Sequence, residues 1–215
     1  MNLRHRLAQL WLVATMRSSA DYWERRYRLG LTSGRGSEGT LARYKAEALN
    51  NFVAAHGIER VIEFGCGDGQ QLTLAKYPRY LGLDVSAQAI ELCRARFGRE
   101  TGRSFLKYDP DHSVNLGGYV AADLALSLDV VYHLVEDSAY DAHLRDLFGV
   151  SRRFVIIYGS NKDAPGSHRH VRHRGFVADV ARRFPQFHLS DHWPNPHRDL
   201  TFADFYIFAR STDGN

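Results

Sequence analysis

Short apolar runs alternate along this chain with longer amphipathic stretches. Arg60–Phe64, Tyr80–Leu83, Ser104–Tyr108, Leu124–Leu128, Phe154–Tyr158 and Phe202–Ala209 have the length and the aliphatic and aromatic content of strands, and Phe187 and His188 open a further one. Between them, Gly39–His56, Ala87–Phe97, Ser138–Phe148 and Phe176–Arg183 carry apolar residues at helical spacing. Strand and helix taking turns predicts parallel strands joined by right-handed crossovers, hence a doubly wound α/β sheet with helices on both faces. The pattern shows no internal repeat and no composition break, so it predicts a single domain over residues 1–215.

The first segment reads differently. Arg4 and Arg6 precede an apolar run, Leu10–Met16, in the manner of a secretory signal. Gln9, Thr15 and Arg17 interrupt or flank that run, no small-residue cleavage site follows, and Leu3, Leu7, Leu10, Trp11 and Ala14 share one helical face. The expectation is an amphipathic helix, with residues 1–38 forming a helical cap. Composition agrees with a soluble chain: 44% hydrophobic and 24% charged residues fit neither disorder nor a membrane protein. The formal charge of +4 is too small to require a nucleic-acid partner. Two cysteines, Cys66 and Cys93, make no disulfide framework and suit a reducing, cytoplasmic setting. No stable membrane insertion is expected; a homodimer is compatible with the sequence.

Val61–Leu72, V-I-E-F-G-C-G-D-G-Q-Q-L, places three glycines within five positions after an apolar run, followed by a helix expected to begin near Gln70. Such a turn removes side chains so that a ligand can lie against the backbone at a strand's carboxyl end. The dinucleotide spacing G-x-G-x-x-G fails, because its last glycine would fall on Gln70 or Leu72 in the two possible registers.

The remaining pattern, E-x-G-x-G-x-G, resembles that of class I S-adenosylmethionine-dependent methyltransferases. The resemblance implies a Rossmann-like, mostly parallel seven-stranded sheet with an antiparallel last strand, and S-adenosylmethionine as cofactor. It also implies positions in this chain. Glu63, Gly65, Cys66, Gly67 and Gly69 would cradle the methionine and ribose, and Asp84, in L-G-L-D-V-S, would accept both ribose hydroxyls. Val85 would flank the adenine, Asp109 would bind its amino group, and Ser127 would sit beneath the methyl group. A carboxylate suits a diol because it offers two acceptor oxygens to two donors. Taken singly, Glu63, Asp84 and Asp109 also read as ordinary loop-capping residues.

The fourth strand, A-D-L-A-L-S-L-D-V-V-Y-H-L-V-E-D, leads to Asp129 and His133. Methyl transfer from a sulfonium to a hydroxyl needs a positioned nucleophile and a proton acceptor. An imidazole titrating near 6.5 would serve, which makes His133 the expected base and Asp129 its orienting partner or a substrate ligand. Asp109, Asp111, His112, Asp129 and His133 also supply donors suited to Mg2+, without a fixed ligand motif.

G-S-H-R-H-V-R-H-R-G, Gly166–Gly175, interleaves histidine with arginine. Residues 160–176 are expected to form a substrate loop, with His168, His170, Arg172, His173 and Arg174 as its contacts; a solvated loop and a phosphate-binding loop are the alternatives. Near the amino terminus, Tyr22, Trp23, Arg26 and Tyr27 share a helical face that either closes over the cofactor, with Tyr22 touching it, or packs on the core.

Over nearly its full length the chain looks similar to small actinobacterial sugar O-methyltransferases, such as the 1-O-methyltransferases of mycobacterial methylmannose polysaccharide synthesis. That resemblance implies a small saccharide hydroxyl as acceptor, with no nucleic acid. An RNA or protein methyltransferase, a methyltransferase of another hydroxylated metabolite, and an inactive cofactor-binding module are the competing readings.

Overall fold

The computed structural model describes residues 3–112, 120–166 and 168–211. In chain order the helices are α1 (Leu3–Thr15), α2 (Ser19–Arg28), α3 (Gly39–Ala55), α4 (Ala87–Phe97), α5 (Asp137–Val150) and α6 (Phe176–Arg183). The strands are β1 (Arg60–Phe64), β2 (Arg79–Asp84), β3 (Arg103–Lys107), β4 (Ala122–Leu128), β5 (Ser151–Gly159), β6 (Ala164–Pro165), β7 (Arg172–His173), β8 (Phe187–Trp193) and β9 (Asp204–Arg210).

Seven strands form one sheet in the order β3-β2-β1-β4-β5-β9-β8. β1 to β5 pair in parallel, and β9 runs antiparallel between β5 and β8. Consecutive residues of the central strands divide between two cores, because successive side chains point to opposite faces of a sheet. Val61, Leu124 and Ile156 join Leu49, Phe52, Ile90 and Phe97 on the α3 and α4 side. Ile62, Ala125, Val155 and Ile157 join Leu144, Leu147, Phe148 and Val180 on the α5 and α6 side. Burial on both faces is why these strands read as continuous apolar runs.

Two local expectations change. The helix expected near Gln70 is a single 3-10 turn, Gln71–Leu74. Pro78 sets the chain extended just before β2, which leaves too few residues for a longer helix. Among the described side chains of α1 the buried one is Leu12, which packs with Tyr22 and Leu31, while Leu7, Leu10 and Trp11 are exposed. Apolar residues lie on both sides of α1, and Arg25 lies over the Trp11 ring 4.3 Å away. Residues 160–176 are tied down by the β6–β7 ribbon, Ala164 opposite His173 and Pro165 opposite Arg172.

No helix among the described residues is long and apolar enough to cross a membrane.

Candidate active site

A cavity of about 1130 Å³ lies over the carboxyl ends of β1 to β4. Phe64 to Gly67 form its floor from β1, Asp84 and Val85 from β2, Tyr108 and Pro110 from beyond β3, and Leu128 to Val130 from β4. An open parallel sheet places ligands there, where the loops leave the strands. Gly65, Gly67 and Gly69 all have positive φ, 84°, 57° and 74°. At Gly67 a side chain is also excluded by space: a Cβ would stand 2.4 Å from Ser33 Oγ and 2.8 Å from the Tyr27 hydroxyl.

Those two neighbours belong to a cover folded over the glycine turn. Ser33 Oγ donates to Asp68, the Ser33 amide donates to the same carboxylate, and the Tyr27 and Ser33 hydroxyls bond to each other. Glu24 of α2 accepts from Ser86 Oγ at 2.7 Å, at the start of α4. Asp84 faces this region with both oxygens already accepting one amide each, from Gly67 at 2.9 Å and Ser86 at 2.9 Å. Burial pushes its carboxyl up to about 6 against those two bonds. Each oxygen keeps a second lone pair for a ligand hydroxyl.

Deeper in the wall, Lys45 of α3 is 1% exposed and its Nζ donates to Asp129 at 2.6 Å. The Tyr132 hydroxyl donates to the other Asp129 oxygen, also at 2.6 Å. Asp129 is the one non-glycine residue with positive φ among the described residues, 60°. A strained residue of this kind persists only when its surroundings over-determine it, and such residues concentrate at functional sites. Glu63 is buried beside this cluster and accepts from the Tyr80 hydroxyl at 2.7 Å. Burial drives its carboxyl up to about 7, with Tyr80 and Lys45 pulling the other way.

His133 stands on a 3-10 turn, Val131–His133, just after β4. Its Nδ1 bonds to the His170 carbonyl at 3.0 Å. A carbonyl only accepts, so Nδ1 carries the proton and the lone pair resides on Nε2. Burial lowers the His133 pKa to about 4, although the ring keeps some contact with the cavity. The expected value near 6.5 is therefore corrected, since a ring packed among aromatics pays for carrying charge. Asp129 does not orient this ring; the His170 carbonyl does, while Asp129 is held by Lys45 and Tyr132. The His133 and His170 rings stack at 5.6 Å, His168 and His170 stack at 5.6 Å, and Tyr22 stacks on His170 at 4.6 Å. Trp23 meets His133 edge-on at 5.0 Å. The α2 aromatics and the histidine loop thus meet across the cavity mouth.

The structure brings Tyr22, Glu63, Gly65, Cys66, Gly67, Asp84, Val85, Asp129, His133, His168 and His170 into one wall. Other expected site residues lie outside it. Gly69 packs where a Cβ would meet Phe97 at 2.7 Å. Ser127 is buried against His143, whose Nε2 is 2.8 Å from its hydroxyl. Asp109 lies between two wall residues without itself lining the cavity. His173 bonds to Ser160 at 2.6 Å. Arg172 and Arg174 turn away to the start of α5, where both pair with Asp137 and donate to the Val135 carbonyl.

No group of three metal-binding side chains occurs among the described residues. The Mg2+ expectation is not supported: the Asp129 carboxylate is taken up by Lys45 and Tyr132, and the Asp109 carboxylate accepts from the Asp111 amide.

Sequence reasoning missed Lys45, Gln71, Tyr132 and the Ser33–Asp68 link. Lys45 did leave a signal: it sits within the buried stripe Leu41, Ala42, Ala46, Leu49, Phe52, Val53 of α3, where a lone cation needs a partner.

No protein-family model and no curated protein sequence matches the chain. Solved structures do. The magnesium protoporphyrin IX methyltransferase of Synechocystis with bound S-adenosylhomocysteine superposes with a TM-score of 0.65 at 17% identity, over 89% of this chain and 98% of that one. The N-methyltransferase NodS of Bradyrhizobium japonicum gives 0.62 at 15%, over 79% and 94%. The S-adenosylmethionine-bound amino pentose methyltransferase of calicheamicin biosynthesis from Micromonospora echinaspora gives 0.61 at 14%, over 81% and 94%. The chain has the fold of S-adenosylmethionine-dependent methyltransferases. At these identities the likeness establishes the architecture, and the chemistry rests on the cavity.

Proposed function

We propose that the chain is an S-adenosylmethionine-dependent O-methyltransferase. The observation that carries this reading is the cavity over the ends of β1, β2 and β4, in which the left-handed Gly65–Gly67 turn faces the buried Asp84 carboxylate. The residues present fit the cofactor. Asp84 keeps two free lone pairs for a ribose diol, Val85 lies beside it in the wall, and the glycine turn lets a bulky nucleoside approach the backbone.

Bound there, S-adenosylmethionine would supply a methyl group already activated on a sulfonium. The chain's own task is to hold an acceptor in line and take its proton. His133 offers Nε2 as a neutral acceptor on the cavity side, kept in that tautomer by the His170 carbonyl. Tyr132 and Asp129 form a second polar edge. Tyr22, Trp23, His168 and His170 line the cavity mouth as a set of packed rings.

The acceptor we propose is a saccharide hydroxyl, a mannoside precursor carrying a free 1-hydroxyl being the best match to the family resemblance. Flat aromatic and imidazole rings stack on the apolar faces of sugars while Asp129, Tyr132 and His133 address hydroxyls. The similar fold of an amino pentose methyltransferase supports this direction. Arg172 and Arg174 pair with Asp137 and do not line the cavity, so neither stands beside the acceptor to hold a phosphate there, which weighs against the RNA alternative.

Calorimetry with S-adenosylhomocysteine, followed by a methyl-transfer screen on oligosaccharides, tests both levels. Asp84→Asn should weaken S-adenosylhomocysteine binding by about 1.5–3 kcal/mol, the range for a hydrogen bond to a charged group. A folded Asp84→Asn protein with wild-type affinity would sink the cofactor assignment.

A further inference from the structure

Helix α1 is apolar on two faces, and among the described residues only one of them is covered. Leu12 packs with Tyr22 and Leu31 in a small core, with Ala8, Val13 and Met16 against it. Leu7, Leu10, Trp11 and Ala14, spaced three, one and three residues apart, lie together on the other side of the helix. There Leu7 is 58% exposed, Leu10 68% and Trp11 52%. Single exposed leucines are ordinary on a protein surface, whereas large apolar side chains gathered on one helix face mark a surface that something covers.

Charge indicates what covers it. Residues 1–30 hold six arginines against two acids, an excess equal to the +4 of the whole chain. Both acids are already paired, Asp21 with Arg25 at 3.1 Å and Glu24 with Arg28 at 2.7 Å. The Arg25 guanidinium also lies over the Trp11 ring at 4.3 Å, which sets positive charge at the edge of the apolar stripe. Arg17, just beyond α1, and Arg169, which donates to the Ala14 carbonyl at 3.0 Å, are both exposed. A second copy of this face would bring two such excesses of like charge together, at a cost in repulsion. A nucleic acid would meet the arginines but give the leucines and Trp11 no apolar partner. An anionic lipid surface offers both, phosphate oxygens to the guanidinium groups and acyl chains to leucine and tryptophan.

We propose that α1 is an interfacial helix that lies in the plane of an anionic lipid surface, with Leu7, Leu10 and Trp11 at the headgroup boundary and the neighbouring arginines on lipid phosphates. Its 13 residues make a helix about 20 Å long, too short to cross about 30 Å of hydrocarbon, so the binding is peripheral and reversible. Gln9 of the same helix borders the cavity, so a docked α1 brings the edge of the site close to the lipid surface. The inference does not depend on which ligand the cavity holds.

Co-sedimentation with vesicles tests this, using phosphatidylcholine alone and an equal mixture with phosphatidylglycerol. The chain should partition onto the mixed vesicles and much less onto phosphatidylcholine, and added salt should weaken the binding. Leu10→Ser combined with Trp11→Ser should reduce partitioning on the order of tenfold or more, because two large apolar side chains no longer leave water. Both positions are exposed, so the melting temperature should stay close to that of the wild-type chain. Arg17→Gln should weaken partitioning about fivefold, the effect of one basic residue near an anionic surface. No partitioning of the wild-type chain onto mixed vesicles overturns the inference. So does a folded double variant that binds as tightly as wild type, which would assign the binding to surface charge alone. Sedimentation velocity checks the remaining occupant: a wild-type dimer that the double substitution splits would show that the face holds a second copy, and would overturn the inference as well.

Discussion

Lys45 and Asp129 show how one residue's environment sets its consequences. Lys45 is buried and Asp129 is 17% exposed at its side chain, so removing the cation leaves a carboxylate with little water to turn to. Lys45→Met should therefore cost about 3 kcal/mol of stability in urea unfolding, at the lower end for a broken buried pair because Asp129 retains some solvent. Adding Asp129→Asn to that variant should recover much of the loss; if the two losses simply add, the pair is not coupled. Two titrations should also separate. Glu63 has its carboxyl raised to about 7 by burial, so it is largely neutral at pH 6 and ionised at pH 8. If it lies beside the charged amine of the bound cofactor, affinity should rise as pH rises through about 7, above the Asp84 titration near 6, and Glu63→Gln should flatten that upper part of the rise. His133, lowered to about 4, is neutral throughout this window. Its loss of proton-accepting form should appear only as the pH falls toward 4. A turnover limb near 6.5 that vanishes in His133→Asn would contradict the burial seen here.

At the scale of elements, the glycine turn and its cover depend on each other. Gly67→Ala would place a methyl group 2.4 Å from Ser33 Oγ on a backbone at φ 57°, so both space and conformation oppose it. The expected result is a loss of about 1–3 kcal/mol, from strain and from the broken Ser33–Asp68 link. Hydrogen exchange should show the loss concentrated in the segment around Ser33; uniform weakening across the sheet would point to a different cause. The turn itself was legible in the sequence because glycines after an apolar strand leave few alternatives. The strands of the central sheet were legible because burial on both faces writes a continuous apolar run. β8 was only glimpsed at Phe187 and His188: it is an edge strand whose Ser190, Asp191 and His192 are exposed. The basic loop was half legible. His168 and His170 reach the cavity, whereas the β6–β7 pairing turns Arg172 and Arg174 toward Asp137, a long-range choice that local spacing does not encode. Lys45 was visible as a cation in an apolar stripe, but its partner lies 84 residues away and only the fold joins them.

Across the whole molecule, the cavity is closed by segments far apart in sequence that share a small core of their own and join the rest through individual hydrogen bonds and ring contacts. Ser19 of α2 bonds to Glu136 through its amide at 2.9 Å and its hydroxyl at 2.6 Å, Arg169 donates to the Ala14 carbonyl at 3.0 Å, and Tyr22 stacks on His170. The sheet beneath is held by two extensive cores, so the cover should open at lower free energy than the sheet unfolds. A ligand that fills the cavity stabilises the native state by mass action, about 2.7 kcal/mol at a hundred times its Kd. Only openings that release the ligand are suppressed by that amount. S-adenosylhomocysteine should therefore slow amide exchange in α2, in the segment around Ser33 and near His170, as well as in the deepest strands, which exchange by global unfolding. Surface amides that exchange by local fraying, such as those along the exposed β8 edge, should be unaffected. Tyr22→Ala removes the stack on His170 and should speed ligand dissociation more than it slows association, read by stopped-flow fluorescence. Protection confined to the strands, with α2 and the histidine loop exchanging at the same rate with and without ligand, would mean that the cover does not close over the cofactor.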